Sequence, residues 1–282
     1  MIPNSITQIR PCILVFDSGV GGLSVAAEIQ KKLPFLQIIY ASDNAFFPYG
    51  TKGEVELIAR VDKVLSKIIS LHQVDLIVIA CNTASTLTLP YCREHFAQPI
   101  VGVVPAIKPA AQLTQTGVVG LLATPATVAR VYTQNLIKEH APSCKVISVG
   151  SSELVALAEK KLRGEPVNTN IIDGVMTQFF DHADGSKMDT MVLACTHFPL
   201  IRDEILASLH RLKSDNSYLL IDSGEAIARR VESLLLTIEN LQPRNKGENI
   251  ALFTKMSTDI ENLKPALSEY HFDQVEFIEV TH

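Results

Sequence analysis

Short apolar runs alternate along the chain with segments whose apolar residues recur at three- and four-residue spacing. The runs CILVFD, LQIIYAS and VDLIVIA predict β-strands, and the segments GGLSVAAEIQKKLP and EVELIARVDKVLSKIISLHQ predict amphipathic helices. VDLIVIA is apolar on both faces, as a strand buried in a parallel sheet should be. The alternation therefore predicts βαβ units and the α/β fold class.

The same pattern restarts near residue 99. TGVVGLLATPATV repeats the strand, turn and helix start of CILVFDSGVGGLSV, and MDTMVLAC (188–195) repeats VDLIVIAC (74–81) at a constant offset of 114. A repeat this long favours a duplicated domain over a solenoid. We therefore expect a first α/β domain made of residues 1–98 and 213–282, with a second made of residues 99–212.

Composition excludes several classes of protein. The 282 residues are 47% hydrophobic and 20% charged, with a formal net charge of −5, so no basic block is available for binding nucleic acid. The apolar stretches are too short and interrupted to cross a bilayer. The first residues lack the apolar run of a signal peptide, so we expect a cytoplasmic protein.

The five cysteines are odd in number and widely spaced, which argues against a disulfide framework. No C-x-x-C pair occurs, so we expect no structural metal site. Cys81 and Cys195 end the two matched strands, at the edge of a parallel sheet where ligands bind. Cys12, Cys92 and Cys144 are interpreted as buried structural residues.

A thiolate can act as a nucleophile, a metal ligand or a base. Two opposed thiols suit the inversion of a stereocentre, because one removes a proton from carbon and the other returns one. Asp17 could assist Cys81, and His197 could assist Cys195. The alternatives are a turn or N-cap role for Asp17, since Asp222-Ser223-Gly224 repeats its pattern, and a surface or cap role for His197.

Polar residues near the strand ends suggest an anionic ligand. Asn82, Thr83 and Thr196 are expected at helix N-termini, which favour anions, and with Ser18 they could hold a small dicarboxylate. The loop FFPYG (46–50) could bring its backbone close to a ligand, although it is equally an ordinary Pro/Gly turn.

The GVGG segment raises the question of a dinucleotide site. Gly19 and Gly21 fit the first two glycines of the fingerprint, and Asp43 lies at about the distance of a ribose contact. Ser24 replaces the third glycine, and no Gly-Lys-Ser/Thr follows, so nucleotide binding is disfavoured.

Several stretches together resemble a known family. FDSGVGGLSV, ASDNAFFPYG, IACNTAST, GVVPAIKPA, LLATPATV, GSSELVALAEKKL, LACTHFPL and DSGEAIARR are similar, in order, to signatures of the cofactor-independent aspartate/glutamate racemase superfamily and, within it, of the glutamate racemases. The resemblance covers the chain from Cys12 to about Leu236. The pair ACNTAS and ACTHFPL is its most specific part.

This resemblance implies two pseudo-symmetric domains, each a mostly parallel sheet flanked by helices, with the active site between them. It implies interconversion of L- and D-glutamate without pyridoxal phosphate or another cofactor, supplying D-glutamate for peptidoglycan, the cell wall and cell shape.

The resemblance also implies roles for individual residues. Cys81 and Cys195 carry over as the two acid/base groups, with Cys81 acting on D-glutamate and Cys195 on L-glutamate. Asp17 and His197 carry over as their assistants. Glu159 matches a position near the substrate amine, its alternative being a solvated helix glutamate. Substrate contacts carry over to Ser18, Pro48, Tyr49, Gly50, Asn82, Thr83 and Thr196.

The N-terminal extension and the segment GSSELVALAEKKLRG resemble the Gram-negative members. Some of these are activated by the peptidoglycan precursor UDP-N-acetylmuramoyl-L-alanine, so activation of this chain is a hypothesis. Members dimerise in different ways, and a homodimer is compatible with the sequence.

Four other functions compete with this one. The chain could racemise aspartate or a related acid, or bind a dicarboxylate without turnover. A thiol redox protein is disfavoured because neither strand-end cysteine has a resolving neighbour. A pyridoxal enzyme is disfavoured because no lysine occurs in the strand-end motifs.

Overall fold

A computed structural model describes residues 10–214, 217–238, 241 and 247–280. The chain divides into two units, residues 1–103 with 224–282 and residues 104–223.

The strands are β1 (Cys12–Asp17), β2 (Gln37–Ser42), β3 (Leu76–Ile79), β4 (Ile100–Gly102), β5 (Val118–Ala123), β6 (Lys145–Gly150), β7 (Thr190–Leu193), β8 (Leu219–Ile221), β9 (Ile250–Phe253) and β10 (Gln274–Phe277). The α-helices are α1 (Leu23–Lys32), α2 (Glu54–Leu71), α3 (Asn82–His95), α4 (Ile107–Leu113), α5 (Pro125–Ala129), α6 (Val131–His140), α7 (Glu153–Leu162), α8 (Thr169–Phe180), α9 (Arg202–Leu212), α10 (Gly224–Leu235) and α11 (Thr258–Glu269).

The first unit contains a six-stranded parallel sheet in the order β10-β9-β2-β1-β3-β4. All six residues of β1 are buried, as are all four of β3, because helices cover both faces of these central strands. The apolar stripe of α2, which includes Leu57, Val61 and Val64, packs with one face of the sheet.

The second unit contains a four-stranded parallel sheet in the order β6-β5-β7-β8. Its central strands β5 and β7 are fully buried. The prediction of an α/β fold with two mostly parallel sheets flanked by helices is therefore confirmed.

The two sheets repeat one topology. The order β2-β1-β3-β4 within the first sheet corresponds to β6-β5-β7-β8 in the second. Strand β3 (Leu76–Ile79) and strand β7 (Thr190–Leu193) have the same length and are displaced by the 114 residues of the sequence match. The first sheet differs by carrying β9 and β10 beyond β2, and these strands come from the C-terminal part of the chain.

The boundaries of the two units differ from the predicted ones, 98/99 and 212/213. Strand β4 pairs with β3, which holds the chain in the first unit through Val103. Strand β8 pairs with β7, which holds the chain in the second unit through Ser223. Both strands are three residues long, so apolar pattern alone gave no reason to assign them to either sheet.

The second Asp-Ser-Gly motif lies at the later of these boundaries. Asp222 forms an ion pair with Arg202, and Ser223 Oγ donates a 2.6 Å hydrogen bond to the carbonyl of Val104. The motif thus ties together the first and last residues of the second unit, and Gly224 begins α10.

None of the helices in the described part of the chain is long and apolar enough to cross a membrane. The cytoplasmic location expected from the sequence stays a prediction.

The aspartates that precede the two matched strands both bind backbone N–H groups. Asp75 Oδ2 accepts from the N–H of Cys12 at 2.7 Å. Asp189 accepts from Thr114 Oγ1 at 2.6 Å and from the N–H groups of Gln115 and Thr116 at 2.7 and 3.0 Å. Partial burial acts to raise the pKa of Asp189, but these hydrogen bonds outweigh it and lower the pKa below its ordinary value.

We expect Asp189→Asn to lower the free energy of unfolding by about 1 to 3 kcal/mol at neutral pH, because a charged acceptor of several hydrogen bonds is lost. A depressed pKa adds stability above the pKa of the unfolded chain, and this is lost as pH falls through the folded pKa. The difference between the two proteins in urea unfolding should therefore shrink below about pH 4. Asp184→Asn, at a solvent-exposed ion pair with Lys187, is the control and should change little. A difference that persists unchanged to pH 2 would contradict this account.

Candidate active site

Cys81 lies between the end of β3 and the start of α3, at the N-cap position of that helix. It is only 8% exposed. Because β1 and β3 are parallel neighbours on either side of the point where strand order reverses, the ends of these two strands meet at the edge where ligands bind in α/β sheets.

The hydroxyl of Ser18 connects Cys81 to Asp17. Ser18 Oγ lies 3.8 Å from Cys81 Sγ and donates to Asp17 Oδ1 at 3.3 Å. The same carboxylate oxygen accepts from the N–H groups of Ser18 and Gly19 at 2.6 and 3.4 Å. Asp17 therefore holds the turn, and the hydroxyl of Ser18 links it to Cys81. It is not the N-cap of α1, since that position is Gly22.

Gly22 is required by close packing. A Cβ atom on Gly22 would lie 2.8 Å from Asp17 Cβ and 3.0 Å from the ring of Tyr40. The Tyr40 hydroxyl in turn donates to the carbonyl of Gly19. The GVGG segment, where Val20–Gly22 form a 3-10 turn, thus accommodates Asp17 and Tyr40.

Asn82 and Thr83 are the first two residues of α3, and both are buried. Asn82 Oδ1 has no hydrogen-bond partner among the residues that the structure describes. A buried acceptor without a partner costs about 1 to 3 kcal/mol. The side chain is therefore suited to receive a donor from a ligand.

The loop 46–50 is held by a buried ion pair. Arg60 donates to both oxygens of Asp43, at 2.9 and 2.7 Å, and Thr254 Oγ1 donates to the same carboxylate at 2.7 Å. Tyr49 Oη donates to Asp43 Oδ2 at 2.7 Å. Burial raises the pKa of Tyr49 well above its ordinary value, and the Asp43 charge raises it further. With its carboxylate engaged in this way, Asp43 holds the loop, which argues against the ribose contact considered from the GVGG pattern.

Sequence reasoning missed Arg60 altogether. The sequence did contain one indication of its role, because Arg60 is a charged residue within the apolar stripe of α2, between Leu57 and Val64. Because the Tyr49 side chain is 1% exposed while Pro48 and Gly50 are exposed, this loop can offer a ligand its backbone but not the Tyr49 hydroxyl.

The second cysteine has a different set of partners. Cys195 follows β7 and is 8% exposed, and its Sγ lies 3.8 Å from His197 Nδ1. His197 Nε2 lies 2.8 Å from Oε1 of Glu159, which is carried by α7. The three side chains form a thiol–imidazole–carboxylate series within the second unit.

The imidazole of His197 lies between two acidic groups. Burial acts to lower its pKa, but the hydrogen bonds to Cys195 and Glu159 and the negative charges of those groups outweigh burial, so the pKa is raised well above its ordinary value. The surface-histidine alternative is excluded, because His197 is 3% exposed. Glu159 is likewise not a solvated helix residue, since its side chain is 12% exposed and bound to His197.

Thr196 does not begin a helix, contrary to prediction. The N–H of Phe198 donates to the carbonyl of Cys195 at 3.0 Å, and the N–H of Leu200 to that of His197 at 3.1 Å. These i→i+3 bonds form the 3-10 turn Phe198–Ile201, and α9 starts only afterwards.

Each unit therefore carries one buried thiol at the end of a central parallel strand, together with a polar partner. The first unit holds Asp17, Ser18, Pro48, Tyr49, Gly50, Cys81, Asn82 and Thr83. The second holds Glu159, Cys195, Thr196 and His197. A thiol in such surroundings can serve in proton transfer or nucleophilic attack.

Comparison with known proteins identifies the class. The family model described as Asp/Glu/hydantoin racemase matches residues 16–231. A glutamate racemase from Pectobacterium carotovorum is 47% identical over 275 residues, which cover 98% of this chain and 93% of the relative. One from Salmonella typhimurium is 48% identical over 271 residues, covering 96% and 93%.

Solved structures similar to this chain are also glutamate racemases. Escherichia coli glutamate racemase, in complex with L-glutamate and the activator UDP-MurNAc-ala, has a TM-score of 0.88 at 45% identity, covering 97% of this chain and 100% of that one. A glutamate racemase isoform from Bacillus anthracis has a TM-score of 0.80 at 25% identity, covering 97% and 98%. The chain belongs to the Asp/Glu/hydantoin racemase family and is an isomerase. The resemblance noted in the sequence is thereby confirmed.

We expect Glu159→Gln to lower the pKa of His197, because a neutral amide replaces the carboxylate beside Nε2. Titration of the ¹⁵N-labelled imidazole by NMR, assigned with His197→Gln, measures this directly. Glu153→Gln is the control, since Glu153 is an exposed residue in the first turn of the same helix. An unchanged titration of His197 in Glu159→Gln would contradict the contribution assigned to Glu159.

Proposed function

We propose that the protein interconverts L- and D-glutamate by proton transfer at Cα between two cysteine side chains. The observation that carries the proposal is the pair of buried thiols, Cys81 and Cys195, at equivalent strand ends, each with its own polar partner. The choice of glutamate is supported by the relatives, which are glutamate racemases at 47 to 48% identity.

In the proposed reaction, a thiolate removes the Cα proton and becomes a thiol. The thiol of the other cysteine gives its proton to the opposite face of the carbanion and becomes a thiolate. The configuration is inverted and the two sulfurs have exchanged protonation states, so the enzyme is ready for the opposite enantiomer. Cys195 acts as the base toward L-glutamate and Cys81 toward D-glutamate.

The partners of the two thiols suit these alternating states. An imidazolium N–H directed at Cys195 Sγ favours the thiolate form, and Glu159 holds the ring in place. Beside Cys81, Ser18 donates to Asp17, so its oxygen can accept from the Cys81 thiol. When Cys81 is a thiolate, the Ser18 hydroxyl can turn and donate to sulfur.

Substrate binding is assigned to the polar groups around the cysteines. Asn82 Oδ1, a buried acceptor, is suited to the substrate ammonium group. The N-terminus of α3, at Asn82 and Thr83, is suited to a carboxylate. Thr196, Ser18 and the backbone of Pro48, Tyr49 and Gly50 complete the proposed set.

The relatives also suggest where the D-glutamate is used and which molecule activates the enzyme. We propose that D-glutamate supplies peptidoglycan synthesis, as in the family that the chain resembles. UDP-N-acetylmuramoyl-L-alanine is proposed as an activator, because the Escherichia coli relative at 45% identity was solved with UDP-MurNAc-ala as its activator.

We expect the purified, pyridoxal-free protein in D₂O to invert L-glutamate and to introduce deuterium at Cα. Circular dichroism measures the inversion, and proton NMR measures the loss of the Cα proton. Cys81→Ala and Cys195→Ala should each lower kcat for inversion by at least about 10³-fold, because one of two acid/base groups is missing.

Cys92→Ala and Cys144→Ala are the matched controls, one in each unit, and should retain inversion. Aspartate in place of glutamate tests the closest alternative substrate. Failure of the wild-type protein to invert glutamate would contradict the proposal. If the protein inverted aspartate alone, its substrate would be aspartate instead of glutamate.

We expect UDP-N-acetylmuramoyl-L-alanine to raise kcat/KM for L-glutamate in a saturable manner, with UDP-N-acetylglucosamine as the control. Coupled assays of D-glutamate formation measure the effect. Unchanged turnover at saturating nucleotide would remove activation from the proposal while leaving the racemase activity intact.

A further inference from the structure

One peptide group sets the position of Cys81. It links Ile79, the last residue of β3, to Ala80, the residue before the cysteine. On one side, the Ala80 N–H donates to the Phe16 carbonyl of β1 at 2.8 Å. The other side is the Ile79 carbonyl, and what holds this carbonyl determines how freely the strand end can turn.

Ser85, on the first turn of α3, holds that carbonyl. Its Oγ donates to the Ile79 carbonyl at 2.7 Å and accepts from the N–H of Val103 at 2.9 Å. Its own N–H donates to the Cys81 carbonyl at 2.8 Å. Ser85 thus bonds to the chain just before Cys81 and to Cys81 itself.

This contact is built into the packing around it. Ser85 is 3% exposed. Gly102, next to Val103, leaves the room it needs, because a Cβ there would lie 3.1 Å from Ser85 Oγ and 2.7 Å from a methyl carbon of Leu89. The Ile79 carbonyl also accepts a hydrogen bond from the Val103 N–H, at 3.3 Å. The bond from Ser85 Oγ, at 2.7 Å, is the shorter of the two.

The second unit has a different residue at the position equivalent to Ser85. Its equivalent peptide is held on one side in the same way, since the N–H of Ala194 donates to the carbonyl of Leu122 at 2.8 Å. At the repeat offset of 114, however, the position of Ser85 is occupied by Pro199, which has no hydroxyl. The chain there forms a 3-10 turn, and His197 is held by Glu159 instead.

We propose that Ser85 is a positioning residue for Cys81 and for Cys81 alone. It fixes the Ile79–Ala80 peptide and the first turn of α3, and so directs the sulfur toward the substrate carbon. The proposal rests on the proposed function, because it concerns one of the two proton-transfer steps. It predicts that loss of the hydroxyl slows that step selectively.

The test compares Ser85→Ala with two other variants. Ser85→Thr keeps the hydroxyl and should restore activity. Thr88→Val is the matched control, because Thr88 is buried on the same helix and its Oγ1 donates to the Ala84 carbonyl within that helix, away from the Ile79–Ala80 peptide. Wild-type inversion is measured first, so its absence would count against the proposed function rather than against the role of Ser85.

The readout is the primary isotope effect on kcat/KM with 2-deuterated L- and D-glutamate. The enantiomer that Cys81 deprotonates is the one whose exchange survives in Cys195→Ala. We expect Ser85→Ala to lose about 10- to 100-fold in kcat. The isotope effect should rise for the enantiomer that Cys81 deprotonates, because removal of its Cα proton then limits the rate more. It should fall for the enantiomer that Cys195 deprotonates, because reprotonation by Cys81 becomes the slower step.

Three results would overturn the proposal. They are equal isotope effects for wild type and Ser85→Ala, a rise for the Cys195 enantiomer, or the same change in Thr88→Val. A lower melting temperature of Ser85→Ala with unchanged isotope effects would show that the serine only stabilises the fold.

Discussion

The parallel pairing of β1 with β3, and of β5 with β7, is the constraint on which the rest of the structure depends. Parallel neighbours end at the same edge of a sheet, so a cysteine that follows one strand meets whatever follows the other. In the first unit, this brings Ser18 to Cys81. The same chain order in the second sheet places Cys195 at the corresponding strand end, which explains why one sequence pattern recurs after 114 residues.

Equivalent strand ends carry unequal partners. Cys81 is approached by a hydroxyl that itself binds a carboxylate, whereas Cys195 is approached by an imidazole of raised pKa bound to Glu159. The proposed two-thiol reaction requires both thiols to change protonation state in every turnover. A hydroxyl can reverse its donor direction and an imidazolium can stabilise a thiolate, so each arrangement suits a sulfur that alternates between the two forms.

The sequence predicted the features that depend on local pattern. Strands, their parallel class, the duplicated topology and the two thiols follow from apolar runs and from one repeat. Features that depend on distant residues were missed. Thr254, 211 positions after Asp43, donates to the carboxylate of the Asp43–Arg60 ion pair, and no periodicity reveals that contact. The turn after Cys195 was expected to be a helix, because apolar pattern does not separate a 3-10 turn from a helix start.

The most direct test of the two-thiol account is Cα hydrogen exchange without inversion, measured by NMR in D₂O for each alanine variant with each enantiomer. A remaining cysteine can remove a proton and return deuterium only on its own face. Cys81→Ala should therefore exchange L-glutamate and leave D-glutamate unchanged, and Cys195→Ala should do the reverse. If either variant exchanged both enantiomers equally, the assignment of one cysteine to each face would be wrong.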